Sequence, residues 1–137
     1  GDLTGLPAGG VRYRMRAGGE QKISVRATAC TGRGAYVYAA AGQWHIVLRN
    51  FFVNPSGEYV DAPWSDPADR GYGVQACNVN SGLGSFSEFE YHTPAIGVPG
   101  AAPYSEDVAQ VWAYTGTRAE IALIAQELLG IALGGDA

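Results

Sequence analysis

The chain has 137 residues, with 13 acidic and nine basic side chains, a formal net charge of −4 and a pI near 5.0. That is the length of one domain with a core of moderate size. A single lysine, Lys22, and the absence of a concentrated basic patch argue against a nucleic-acid partner, and no apolar run approaches the ~20 residues needed to cross a bilayer, so no membrane partner is expected.

Residues 11–16 (VRYRMR) alternate and predict a strand with Arg12, Arg14 and Arg16 on one face, a charged edge that discourages strand-to-strand association. After a glycine turn at 17–19, residues 21–29 (QKISVRATA) form a second strand with Ile23, Val25 and Ala27 on one side. Residues 35–41 (AYVYAAA) follow. Gly42 and Gln43 then turn into residues 44–53 (WHIVLRNFFV), an apolar run long enough for a central strand. There His45 shares a face with Val47 and Arg49, opposite Trp44, Ile46 and Leu48, and reads as a partly buried, hydrogen-bonded histidine. Residues 54–71 (NPSGEYVDAPWSDPADRG) predict a long irregular loop, and long loops inside compact domains tend to carry function.

A strand at 72–80 (YGVQACNVN) leads through Ser81-Gly82-Leu83-Gly84 into residues 85–93. In this strand the stretch FSEFEYHTP sorts Phe86, Glu88, Glu90 and His92 onto one face, with successive groups about 7 Å apart, and Ser87, Phe89, Tyr91 and Thr93 onto the other. A proline- and glycine-punctuated connection at 94–103 precedes a last strand at 107–114 (DVAQVWAY). The period then changes. Thr117-Arg118-Ala119-Glu120 fits a capping box, and Ile121, Ile124, Ala125, Leu128 and Leu129 recur at helical spacing, predicting a helix over about 117–131. The whole predicts one domain over 1–137, mainly β: an antiparallel β-sandwich with a C-terminal helix packed on the sheet. Cys30 and Cys77 lack C-x-x-C spacing and read as two buried free thiols, with a disulfide as the alternative. Gly1 in place of an initiator methionine is read as the start of a mature, tagged or excised product.

Three segments carry a family resemblance: IVLRNFFVNPSGEYVDAPW (46–64), YGVQACNVNSGLG (72–84) and FSEFEYHTPAIGVPG (86–100). Over residues 20–116 they resemble the later half of galactose-mutarotase-like (aldose 1-epimerase-like) super-sandwich proteins. The resemblance implies carbohydrate-related ancestry and a super-sandwich-like half. It also implies a late-strand glutamate as base, for which Glu90 is the best positional match and Glu88 the second. Because such proteins run to about twice this length in two facing sheets, an upstream half-domain or a second copy of the chain is an expected partner for any uncovered apolar sheet face.

The candidate chemistry follows from these placements. Glu90 and His92, with Glu88, form a carboxylate–imidazole set for proton transfer or for hydrogen bonding to sugar hydroxyls. Tyr59, Trp64 and Tyr72 supply flat rings for stacking on a sugar, while Asp61, Asp66 and Asp69 supply acceptors for its hydroxyls and Arg49 a further polar contact, the combination that small-ligand sites use. No phosphate-binding glycine loop or G-x-S-x-G elbow is present, and the spacing calls for neither metal nor cofactor. The expected function is that of a carbohydrate-related β-sandwich domain without catalysis of its own, binding a carbohydrate ligand or forming part of a sugar-acting assembly. Two further readings stand beside it: an aldose-epimerase-like or other sugar-modifying enzyme using Glu90 as base, and a structural domain that oligomerises.

Overall fold

A computed structural model describes residues 3–7, 9–16, 19–97 and 103–134. The expected turn at 17–19 and part of the connection at 94–103 fall on residues 17–18 and 98–102, outside the described set. The strands are β1 (Leu3–Gly5), β2 (Val11–Tyr13), β3 (Gln21–Arg26), β4 (Arg33–Ala40), β5 (Gln43–Phe51), β6 (Tyr72–Ser81), β7 (Gly84–Tyr91) and β8 (Ala109–Gly116), followed by helix α1 (Arg118–Leu129). They pair antiparallel throughout, as a β1-β2 hairpin and two three-stranded sheets ordered β3-β6-β7 and β4-β5-β8. The fold is mainly β and sandwich-like, with one C-terminal helix. That helix is too short to cross a membrane, and no other described helix is long and apolar enough to do so.

Turn chemistry sets the registers. Ala40 pairs with Gln43, leaving Ala41 and Gly42 as a two-residue loop whose φ values are both positive, +51° and +77°. This is the hairpin turn whose twist matches the flanking strands. The expected strand at 21–29 stops at Arg26, because the ladder slips between Val25 and Arg26 and a single 3-10 turn, Ala27–Ala29, takes over. Bulges of this kind bend a strand and end its pairing. The arginine strand is likewise shorter than its alternation implied, ending at Tyr13, so Arg14 and Arg16 lie beyond it. Cys30 and Cys77 are free thiols; Cys77 is buried as expected, whereas Cys30 is only partly buried.

The β4-β5-β8 sheet buries one face under α1. Ile46 and Leu48 from β5 meet Ile121 and Ala125 of the helix, with Val37, Trp44, Tyr114 and Ile124 packed around them. The helix begins where the capping box predicts. Thr117 Oγ1 accepts from the Glu120 amide, and Glu120 Oε2 accepts from the Thr117 amide at 2.8 Å. It ends at Gly130 in the left-handed region (φ +70°), whose N–H returns to the carbonyls of Ala125 and Gln126.

The β3-β6-β7 sheet is two-sided. Rows Ile23–Ala76–Phe89 and Val25–Val74–Tyr91 form an apolar face, which approaches the other sheet through the stacked rings of Phe51 and Tyr91, centroids 4.9 Å apart. Phe89 lies so close over Gly34 that any side chain there would strike its ring. Rows Lys22–Cys77–Glu88 and Ser24–Gln75–Glu90 form the opposite face, and that face is polar.

Candidate functional site

The polar face is covered by the excursion between β5 and β6. Asn54 turns the chain with its side-chain oxygen on the Ser56 amide and its carbonyl on the Gly57 amide. Gly57 lies against Pro94, and the Ala95 amide donates to the Glu58 carbonyl at 2.6 Å, joining the excursion to the segment after β7. Tyr59 is 2% exposed, and its hydroxyl accepts from the Asn54 amide. The Gly71 amide donates to the Tyr59 carbonyl, closing 59–71 into a loop with joined ends. At the far end Asp69 holds Tyr72 and Arg26: Tyr72 donates to Oδ2 at 2.5 Å, and Arg26 reaches Oδ1 at 2.7 Å with its guanidinium 4.7 Å from the Tyr72 ring. The Tyr72 hydroxyl, and after it Arg26, hold the Asp69 carboxyl below the usual carboxylate range.

Within this frame the excursion sets acidic and aromatic groups on the sheet. Asp61 Oδ1 accepts from the Ala62 amide at 2.7 Å and stands 3.5 Å from Lys22 Nζ. Lys22 also donates to the Ala62 carbonyl at 3.2 Å and lies 5.9 Å from the centre of the Trp64 ring. Asp61 Oδ2 faces His92, 3.2 Å from Nε2. Glu90 Oε2 lies 3.4 Å from the same nitrogen. Cys77 donates its thiol to Glu88 Oε2 at 3.3 Å. Burial, then the neighbouring Glu88 carboxylate, push the Glu90 carboxyl up, partly opposed by His92. The same causes push the Cys77 thiol up to about 11.

The structure therefore gathers Glu88, Glu90, His92 and Asp61 on one face, with Trp64 joined to them through Lys22. Trp64 keeps its ring half exposed, at 51%. The other expected binding residues stand elsewhere. Tyr59 is buried as the loop's anchor, and Tyr72 is buried at its closing clamp. Arg49 lies 6.0 Å from the ring of Tyr91, a residue of the opposite, apolar face of β7, so it does not reach the Glu90 cluster. His45 is on the other sheet, stacked on Tyr38 and bonded to Thr115.

Residues that alternation did not single out complete the site. Lys22 ties the excursion down with a carbonyl bond, an ion pair and a ring contact, and its only signal in the sequence is its place one step from Ile23 on the opposite strand face. Gln75, cross-strand from Glu90, is 1% exposed, and among the described residues neither amide atom has a hydrogen-bond partner; the buried Ser24 hydroxyl is in the same condition. A separate hollow of about 300 Å³ between the β1-β2 hairpin and β3 is lined mainly by apolar groups, including Leu3, Val11, Ile23 and Val25, and has no comparable cluster of acids. In comparisons with protein-family models, with curated proteins and with solved structures, nothing matched this chain.

Proposed function

We propose that the protein is a carbohydrate-binding β-sandwich domain that takes a sugar at the edge of the excursion-covered face. The observation that carries this reading is the exposed Trp64 ring held by Lys22 beside Asp61, Glu90 and His92. A flat aromatic face stacks on the C–H side of a sugar ring, and a few placed carboxylates accept from its hydroxyls. The super-sandwich resemblance of residues 46–100 points to the same class of ligand.

The geometry favours binding over turnover. Ring opening of an aldose needs a base on the anomeric hydroxyl and an acid on the ring oxygen, on different sides of the sugar. Glu90 Oε2 and His92 Nε2 are 3.4 Å apart and approach from one side. An epimerase-like reading with Glu90 as base predicts catalysed mutarotation that Glu90→Gln abolishes. The binding reading predicts no catalysis and a saturable change in tryptophan fluorescence on titration with mono- or oligosaccharides, lost in Trp64→Ala. A silent response across a broad sugar panel would end it.

A further inference from the structure

His92 Nε2 is buried between Asp61 Oδ2 at 3.2 Å and Glu90 Oε2 at 3.4 Å, yet it is aligned in a hydrogen bond with neither. An imidazole N–H shared with a carboxylate normally points along one line to one oxygen. Here the nitrogen and the two oxygens lie within 4.8 Å of one another, close enough to share one small ion. A tetrahedral ion with bonds of about 2.0–2.1 Å sets its donor atoms about 3.3–3.4 Å apart. The His92–Asp61 and His92–Glu90 separations have that length.

A second, independent observation lies next to the three. Gln75 pairs with Glu90 across β6 and β7 on the same face, is 1% exposed, and among the described residues has no partner for its carbonyl oxygen or its amide nitrogen. Nearly all buried polar groups find a partner in protein, water or an ion, and the Gln75 amide, in the same cross-strand row as Glu90, finds none among the described residues. The neighbouring set, Cys77 with Glu88 and Glu90, is already joined within itself, since Cys77 gives its proton to Glu88. Asp61 is also divided in use. Its Oδ1 is held by the Ala62 amide and Lys22, which leaves Oδ2 presented to His92.

We infer that Asp61, Glu90 and His92 form a three-ligand site for a divalent transition ion of the Zn²⁺ class. One imidazole nitrogen and two carboxylate oxygens suit such an ion, and a fourth position is left for a water or a ligand oxygen. Bound there, the ion joins the excursion to β7 at residues far apart in sequence. The inference goes beyond the sugar reading and stands without it.

The test uses the full chain, stripped with chelator and titrated with ZnCl₂ by calorimetry. One Zn²⁺ per chain is expected, with a rise in melting temperature, and CoCl₂ in its place should give the visible absorption of a four-coordinate ion. His92→Gln and Asp61→Asn should each weaken Zn²⁺ binding by about 100-fold or more, at least the upper range seen when a metal site loses an outer partner. His45→Gln, which removes the chain's other histidine, should leave binding unchanged. Asp61→Asn retains the oxygen used by the Ala62 amide, so it reports on the site even where His92→Gln does not fold by circular dichroism. The inference is overturned if the unmodified chain takes up no Zn²⁺, if Asp61→Asn binds as tightly as the parent, or if binding disappears in Cys77→Ala alone.

Discussion

Each of the two three-stranded sheets has a cover, and the covers are built differently. Helix α1 closes the β4-β5-β8 sheet with Ile121 and Ala125 on Ile46 and Leu48, an apolar seam with a capped start and a glycine stop. The excursion closes the β3-β6-β7 sheet with Asp61, Ala62 and Trp64 gathered on Lys22, over a floor of Gln75, Cys77, Glu88 and Glu90. Burial of apolar area stabilises the first cover and asks for nothing further. The second sets charges and unpartnered amide atoms beneath a loop, an arrangement that adds little to stability and much to recognition. The difference teaches where to look for function in this chain: on the side whose cover is polar.

Substitutions should separate the two covers. The largest effect is expected at Tyr59, the one large apolar anchor of the excursion. Tyr59→Ala should cost about 3–5 kcal/mol, as loss of a buried aromatic does, read as a fall in the urea midpoint together with loss of any ligand response. Ile121→Ala on the helical side should cost about 2–5 kcal/mol but leave binding intact in the fraction still folded. Should it remove binding as well, the covers are not separable. Thr117→Ala, which removes the cap, should cost about 0.5–2 kcal/mol with no change at the excursion. The smallest global change is expected for Lys22→Met. Its readout is local: faster hydrogen exchange at the Gly71 amide, which bonds to Tyr59, with the α1 amides unchanged.

Acid–base behaviour divides the molecule in the same way. The Cys77 thiol is pushed up to about 11 by burial and Glu88, above the ordinary value of 9.0. The folded state then keeps a proton that the unfolded chain releases. This part of the stability is complete below pH 9 and is lost as the pH rises towards 11. Denaturation of the parent and of Cys77→Ala across that window should show a steeper decline in the parent. At pH 8 Cys77 should also resist alkylation, because the thiolate is the reactive form.

Much of the fold was legible because its signals are local. Alternation and apolar runs bounded by turns marked seven of the eight described strands, and Thr117 with Glu120 announced the helix. The missing strand, Leu3–Gly5, is three exposed residues with no periodic pattern. The site was legible only in part. Period two sorts Glu88, Glu90 and His92 onto one face, so that row could be read from FSEFEYHTP. A loop has no period, so nothing in 54–71 could say that Tyr59 turns inward while Trp64 stays half exposed. Lys22 and Gln75 depend on cross-strand partners, and registers between strands some fifty residues apart are decided by the whole sheet rather than by neighbours in the chain. Arg49 was aimed by its alternation to one face, but which object that face meets is a tertiary fact.

On the binding reading, ligand is taken at the polar cover and not elsewhere. Amide shift mapping of the labelled chain during titration with an oligosaccharide panel tests it most directly. Saturable shifts are expected, confined to residues 59–71 with Lys22, Gln75 and the segment from Glu88 to His92, while β8 and α1 stay still. Shifts centred on the helix-covered sheet, or no shifts with any sugar, would contradict it.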